Sequence, residues 1–178
     1  MTSGEKNDRE RFMEEALKKM NIKRRQLTRQ ELEKEIIDFL SKKQPCSLAT
    51  CSLDGVPRVS VVDFANDGLD IYIFSEGGGK FDNLKENNRV AVGIGTGTRA
   101  TKTRGVNIWG IAEVFTDDTP EFAQGMEVIS DIIKEMKDAA GGSIEIPKGL
   151  VKMIRVTPTK MVYHHNAKGI KHALWEAP

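Results

Sequence analysis

The hydrophobic pattern of this 178-residue chain changes its period after the first quarter of the sequence, and that change constrains the fold most strongly. In the first part, apolar residues such as Leu32 and Ile36 recur at helical spacing. From Ser47 onward, apolar and polar residues alternate, and Asp54-Gly55 supplies the turn chemistry typical of a β-hairpin. The sequence therefore predicts helices followed by antiparallel hairpins.

Two helices are predicted before the strands. Thr28 followed by Glu31 forms a capping box, so the second helix should start near Thr28 and end by Lys43. A first helical stretch precedes Asn21, and two roles for it stay open. It is either an arm that wraps a partner subunit or a solvated lid.

The rest of the chain predicts roughly six strands with interspersed helices. A short helix is expected from about Phe81 to Asn87, and one longer helix should start at Pro120, capped by Thr119. Antiparallel strands with helices between them favour a closed or partly open barrel, mainly β within the α+β class. The later strand-like runs are Arg89–Thr96, Val106–Phe115, Val151–Thr157 and Lys160–His164.

Composition excludes several classes of function. The formal net charge is +1, which predicts neither nucleic acid nor an anionic membrane as a partner. No apolar run approaches the roughly 20 residues of a membrane span. Cys46 and Cys51 are expected to be reduced core thiols, which indicates the cytoplasm. The three histidines lie far from both cysteines in sequence, so no metal site is predicted.

A glycine-rich corner, Gly77-Gly78-Gly79-Lys80, is a candidate anion site. Phe81 occupies the position where a Walker loop needs Ser or Thr, which excludes that motif. The glycines would let the backbone approach an anion, Lys80 would supply charge, and the helix starting near Phe81 would turn free N–H groups toward it. The alternative is a mobile turn with a solvated lysine.

Arg58 and a later basic segment also carry positive charge near predicted turns. Arg58 could pair with a phosphate, or it could be a surface arginine beside a turn. Arg99, Lys102 and Arg104 lie between two predicted strands without an acidic neighbour. They form either a basic flap over an anionic ligand or a solvated hairpin tip, and the tip is the favoured interpretation.

His164 and His165 suggest a haem or metal ligand. Adjacent residues of a strand point to opposite faces, so at most one of the two can easily reach a common site.

Together, residues from about Ile36 to His172 resemble the pyridoxamine 5′-phosphate oxidase-like family of split β-barrel flavoproteins. No single motif is diagnostic, and the order of the motifs along the chain carries the resemblance. The matching pieces are Ser47-Leu48-Ala49-Thr50, Asp54 to Arg58, Val59-Ser60-Val61-Val62, Ile71-Tyr72-Ile73-Phe74-Ser75, Lys80 with Asn83-Leu84, Asn88-Arg89-Val90-Ala91-Val92, and Trp109-Gly110-Ile111-Ala112-Glu113.

The resemblance implies a six-stranded antiparallel split β-barrel with flanking helices that forms a homodimer, with FMN bound between the subunits. Residues 1–27 would be an N-terminal helical extension, and residues 28–178 would be the FMN-binding domain. Arg58 and Lys80 would hold the phosphate of FMN. The residues implied to contact the flavin are Arg58, Val59, Ser60, Val61, Asp63, Ile73, Phe74, Ser75, Gly79 and Lys80.

Three positions depart from the oxidase itself. Asp63, Gly79 and Gly105 stand where the oxidase has a lysine, an arginine and a glutamine. The expected function is therefore an FMN-dependent oxidoreductase with an unidentified small substrate rather than the oxidase reaction. No catalytic side chain is identified. The alternatives are a haem-binding or haem-degrading split-barrel protein that uses His164 or His165, and a flavin-binding module without turnover.

Overall fold

The computed structural model describes residues 3–42, 45–96, 101–142 and 146–178. Its helices are α1 (Ser3–Lys19), α2 (Arg29–Leu40), α3 (Lys80–Glu86), α4 (Pro120–Val128) and α5 (Ser130–Ala139). Its strands are β1 (Cys46–Cys51), β2 (Pro57–Val62), β3 (Ala65–Asp67), β4 (Asp70–Ser75), β5 (Arg89–Thr96), β6 (Arg104–Phe115), β7 (Lys152–His165) and β8 (Ile170–Glu176). A 3₁₀ turn, Asn166–Lys168, joins the last two strands.

The strands form one antiparallel sheet in the order β2-β1-β5-β6-β7-β4-β3, and β8 also pairs with β7. The predicted mainly β, antiparallel split barrel with flanking helices is confirmed. Within the described ranges the sheet has eight strands rather than six. The two additions are β3, which has only three residues, and β8, whose mixed polar sequence gave no strand signal.

Strand β7 joins two runs that the sequence separated at Pro158. Pro158 pairs with Gly110, whereas the next paired residue, Lys160, lies opposite Trp109. Thr159 is therefore the extra residue of a β-bulge. A proline is tolerated inside a strand at a bulge because the hydrogen-bond ladder is already interrupted there. One continuous strand of 14 residues results.

The predicted start of the second helix is confirmed. The N–H of Thr28 donates to the Glu31 carboxylate at 2.8 Å, and the N–H of Glu31 donates to the Thr28 hydroxyl at 3.3 Å. This reciprocal pair is a capping box. Helix α2 ends at Leu40, and residue 43, the predicted limit, lies outside the described residues.

The single helix predicted from Pro120 is wrong, because Ile129 interrupts it. Thr119 caps α4 as expected, and Ile129 leaves the helical conformation with φ −90° and ψ 9° before α5 begins. Ile129 is completely buried, together with Phe122 and Ile133. The bend thus lets two short helices bury their apolar faces against the same side of the sheet.

Two apolar cores lie on opposite faces of the sheet. The larger one joins helices α2 and α3 to the barrel interior through residues such as Phe39, Leu48 and Tyr163. The smaller one packs α4 and α5 on the outer side of β4 and β7 through Tyr72 and Met153. No helix in the described part of the chain has the length and apolar character needed to cross a membrane.

A buried ionic network fixes α2 to the barrel. The Arg104 Nε–H donates to the Tyr163 hydroxyl at 2.6 Å, and one Arg104 Nη lies 3.8 Å from the Glu35 carboxylate. Lys168 also pairs with Glu35, at 2.6 Å. Burial alone would raise the pKa of Glu35, but Lys168 and Arg104 lower it below its usual range. The stabilisation is therefore lost as pH falls through that lowered pKa.

We predict that Glu35→Ala destabilises the fold by about 3 kcal/mol, because it leaves Arg104 buried without its carboxylate. Urea denaturation measures the loss. Glu113 pairs at 2.7 Å with Arg155 near the surface. Because exposed pairs contribute little, Glu113→Ala is the control and should cost less than about 1 kcal/mol. Equal losses of stability in the two variants would contradict the conclusion that the buried Arg104 charge depends on the Glu35 carboxylate.

The side of the sheet that faces away from the larger core carries an exposed apolar patch. Val59 and Val61 of β2 are 64% and 73% exposed, and Trp109 and Leu174 are also exposed. The register places Val59, Ala49, Ala91 and Trp109 in one row across four strands. We call this surface, including Val61 and Leu174, the outer sheet face.

Candidate functional site

The glycine-rich corner connects the end of β4 to the start of α3. Gly78 has a φ of +99°, which favours glycine, and the turn brings Lys80 back against the loop. The Lys80 ammonium donates to the carbonyl oxygen of Gly77, and the residue is only 7% exposed. Lys80 is thus a held, buried cation rather than a solvated side chain at a mobile turn.

Arg58 reaches the same corner from β2. A Cβ atom placed on Gly79 would lie 2.8 Å from the guanidinium carbon of Arg58. The guanidinium therefore rests directly on the Gly79 backbone, in space that any side chain at position 79 would occupy. This contact brings together Arg58, Gly79 and Lys80, which the sequence placed 21 and 22 positions apart.

Thr50 of β1 holds both partners of the corner in place. It pairs with Arg58 in the β1–β2 register, and its hydroxyl accepts a hydrogen bond from the Asn83 side chain of α3 at 3.0 Å. Asn87 further ties the end of α3 to the Cys51 carbonyl oxygen at 3.0 Å. Strand β2 and helix α3 are therefore positioned by neighbouring residues of one strand.

The corner carries positive charge that no neighbouring acidic group of the described residues balances. Burial lowers the pKa of Lys80 below its ordinary 10.5, and the nearby Arg58 charge lowers it further. Among the described residues, no carboxylate lies within 4.0 Å of either side chain. Two like charges without an acidic partner favour an anionic ligand.

The start of α3 contributes less than the sequence suggested. The N–H of Phe81 already donates to the Gly78 carbonyl oxygen at 3.0 Å, and that of Asn83 to the Gly79 carbonyl oxygen at 3.3 Å. These N–H groups are not free for a ligand. Side-chain charge, rather than the helix terminus, is what makes the corner suitable for an anion.

An open cleft of about 490 Å³ lies beside the corner, between the strand ends and α5. Asp63, Phe74 and Ser75, which the resemblance implied as flavin contacts, line this cleft. Glu76 adds a second carboxylate, so the cleft is acidic where the corner is basic. The complete lining is Val62, Asp63, Phe74, Ser75, Glu76, Gly77, Ile132 and Met136.

The other implied flavin contacts lie around the same strands but face different ways. Ser60 is half-buried opposite Leu48, on the interior side of the sheet. The Ile73 side chain is completely buried in the larger core and does not line the cleft. Val59 and Val61 belong to the outer sheet face.

One basic residue of the site was not found from the sequence. Lys152, at the start of β7, lies opposite Ser75, and its ammonium is 5.1 Å from the centre of the Phe81 ring. The Lys80 ammonium is 5.0 Å from the centre of that ring. The sequence contained no signal for this proximity, because it depends on the register between β4 and β7.

The interpretation of Arg104 as part of a hairpin tip or flap is wrong. Its side chain is 8% exposed and enters the network with Glu35 and Tyr163. Lys102 is exposed, and Arg99 lies outside the described residues. Arg104 was misplaced because β6 begins two residues earlier than the predicted Val106.

The two adjacent histidines belong to different surroundings. His165 lies near Glu35 and Arg104, and its Nδ1 is buried without a hydrogen-bond partner among the described residues. His164 lies against Gly105. Burial, followed by the charges of His172 and Lys171, lowers the pKa of His164. The two imidazoles therefore do not converge.

In the described part of the chain, Cys46 is not a reactive thiol, and no cluster of metal-binding residues is present. Burial, with a smaller contribution from the Asp63 charge, raises the pKa of Cys46 to about 12. The Cys46 thiol therefore stays protonated at neutral pH. No group of three or more His, Cys, Asp or Glu residues with metal-binding geometry occurs there either.

An antiparallel split barrel with a basic corner beside its sheet defines the class of protein. The family model described as pyridoxamine 5′-phosphate oxidase matches residues 32–165. This match spans more than half of the sequence, and the chain belongs to that family. No protein of curated function matches the chain.

Solved structures have the same fold. The conserved hypothetical protein Rv2991 of Mycobacterium tuberculosis is 23% identical with a TM-score of 0.59, covering 82% of this chain and 91% of that one. A FAD-binding protein of Mesorhizobium loti is 21% identical with a TM-score of 0.57, and the match covers 71% of this chain and 89% of that one. HutZ, the heme storage protein of Vibrio cholerae, is 19% identical with a TM-score of 0.58, and the match covers 77% of this chain and 98% of that one. At these identities the likeness concerns the fold alone.

We predict that Lys80 titrates below 10.5 in the free protein, because burial and Arg58 both disfavour its charged form. NMR of ¹³C-labelled lysine side chains measures this pKa. Arg58→Ala should raise it only in part, since burial is the larger cause. An ordinary lysine pKa in the wild-type protein would show that the corner is not desolvated.

Proposed function

We propose that the chain is a homodimeric FMN-binding protein that acts as an oxidoreductase on a small molecule. The observation that carries this proposal is a pair of cations at Gly79, the buried Lys80 and the more exposed Arg58, neither of which has a carboxylate partner among the described residues. A phosphate ester is the anion that such a pair suits best, since a guanidinium and an ammonium can donate to its oxygens simultaneously.

The residues around the corner fit the rest of a flavin. Strand β2 leads from Arg58 to Asp63, and the end of β4 leads from Ile73 to Ser75, so two strand ends flank the cleft beside the phosphate position. Phe74 and Met136 supply apolar surface for a flat ring, and Ser75 supplies a hydroxyl. When bound, the flavin would supply hydride transfer, while these residues bind and orient it.

The carboxylates of Asp63 and Glu76 restrict which substrates suit the cleft. Both carboxylates line the cleft where a substrate would meet the flavin ring. Like charges repel, so an anionic substrate is disfavoured there. A neutral or cationic small molecule fits this cleft better than pyridoxamine 5′-phosphate does.

The homodimer is supported by the outer sheet face. Small residues, Ala49 and Ala91, lie between the exposed Val59 and Trp109, which gives a surface that another sheet can approach closely. An apolar patch of this kind marks an interaction site. Strand β2 is at the edge of the sheet and carries Arg58 and Ser60 on its other face, so a partner that covers Val59 and Val61 would come close to the flavin site across this edge.

Haem binding is the second candidate function. His164 has the ligand chemistry, and the fold is shared with HutZ, a heme storage protein. The absorbance spectrum of the purified protein separates the two candidates. FMN gives a yellow flavin spectrum, whereas haem gives a Soret band that His164→Ala would remove. Bound flavin that neither nicotinamide cofactor can reduce would favour a module without turnover.

We predict that replacing both corner cations by alanine weakens FMN binding about 100-fold or more. Each lost charge-assisted contact is worth roughly 1.5–3 kcal/mol. The dissociation constant of riboflavin, which lacks the phosphate, should change by less than about threefold. Quenching of flavin fluorescence gives both dissociation constants. Equal losses for the two ligands would place the phosphate elsewhere.

Two further variants serve as controls for this experiment. Lys85→Ala removes an exposed lysine from the same helix, α3, and should leave FMN binding unchanged. Gly79→Ala should displace the flexible Arg58 side chain and weaken FMN binding while the melting temperature changes little. Gly79 has a φ of −60°, so alanine causes no backbone strain there. A variant that is well folded but impaired in FMN binding excludes misfolding as the cause.

We predict that Val61→Asp converts the dimer into monomers, because it places a charge in the apolar outer sheet face. Light scattering coupled to size-exclusion chromatography measures the mass. Leu53→Asp is the matched control, since Leu53 is equally exposed, at 73%, on the hairpin tip. A wild-type monomer at micromolar concentration would exclude the proposed dimer.

A further inference from the structure

The Phe81 ring has two ammonium groups close to it. The Lys80 Nζ is 5.0 Å from the ring centre and the Lys152 Nζ is 5.1 Å from it. The two nitrogens therefore lie at most about 10 Å from each other, roughly one Debye length at 0.1 M salt. Arg58 rests on Gly79, the residue immediately before Lys80. Three cations thus surround one buried aromatic residue and one glycine turn.

The sheet register directs Lys152 to this place. Lys152 pairs with Ser75, and two residues further along β7 Ile154 pairs with Ile73, both completely buried. Residues two apart on a strand face the same side, so Lys152 continues the interior face of the barrel toward its end. The aliphatic part of Lys152 packs there, while its ammonium reaches the corner.

The part of the chain that the structure describes supplies no acidic partner to these three charges. Within the described residues, no carboxylate lies within 4.0 Å of Arg58, Lys80 or Lys152. Attraction to the Phe81 ring offsets only part of the repulsion among them. A singly charged anion would leave this cluster strongly positive, whereas a doubly charged phosphate monoester neutralises most of it.

We propose that Lys152 is a third cation of the phosphate site and makes it selective for a dianionic phosphate monoester over a singly charged anion. The inference rests on the proposed FMN site. Lys152 acts through its charge at a distance, so its attraction scales with the charge of the ligand. Its contribution to a dianion is twice, in free energy, its contribution to a monoanion.

Three flavins of equal ring structure and different charge test this proposal. They are FMN, with nearly two negative charges at about pH 7.5, riboflavin 5′-sulfate, with one, and riboflavin, with none. Lys152→Gln should weaken FMN binding about tenfold, riboflavin 5′-sulfate binding about threefold, and riboflavin binding hardly at all, following the charge scaling. Lys152→Arg should restore the FMN affinity, because it keeps the charge.

The control is Lys85→Gln, which removes an exposed lysine of α3 that pairs with Asp82 at 3.6 Å, outside the corner. It should leave all three dissociation constants unchanged. Equal weakening of the three ligands by Lys152→Gln would show that Lys152 only supports Phe81, and no weakening would show that it does not sense the ligand. Either result overturns the inference. If the wild-type protein binds FMN no tighter than riboflavin, the proposed FMN site itself fails.

Discussion

Strand β7 is the constraint on which the arrangement of the site depends. Along one edge it pairs with β6 over nearly its whole length, and along the other it pairs first with β4 and then with β8. The bulge at Thr159 lets one strand pass through this change of partner despite the neighbouring proline. Because β4 leads directly into the glycine corner, its pairing with β7 fixes where the corner lies and brings Lys152 to it.

The electrostatic character of the corner follows from this geometry. The fold buries Lys80, places Arg58 on Gly79, and brings no carboxylate among the described residues to balance them. Such an arrangement costs stability in the free protein, as the lowered pKa of Lys80 indicates. An anionic ligand bound there would remove that cost. By contrast, Arg104 is equally buried but paired with Glu35, and it therefore serves the fold and not the site.

The sequence was sufficient where local rules decide the structure. The capping box at Thr28 and the bounds of β5 follow from residue type and period, and both are confirmed. The break at Ile129 and the bulge at Thr159 were not predictable, because tertiary packing and strand pairing decide them. Helical periodicity alone continues through Ile129, and a proline in a strand normally indicates its end.

The same distinction holds for the candidate site. The order of motifs suggested Arg58 and Lys80 because they lie in recognisable turns, but their contact at Gly79 is visible only in the structure. Lys152 could not be predicted, since its proximity to Phe81 depends on the register of two strands far apart in sequence. Arg104 was misassigned because charge and a neighbouring loop suggested exposure, whereas its partners come from α2 and β7.

The proposed role of the corner is to recognise the phosphate of a flavin. The most direct test is the ratio of the dissociation constants of riboflavin and FMN for the wild-type protein, freed of endogenous ligand. We expect FMN to bind at least about 100-fold more tightly than riboflavin, because two charge-assisted contacts to phosphate are gained. Equal affinities for the two flavins would contradict the proposed role.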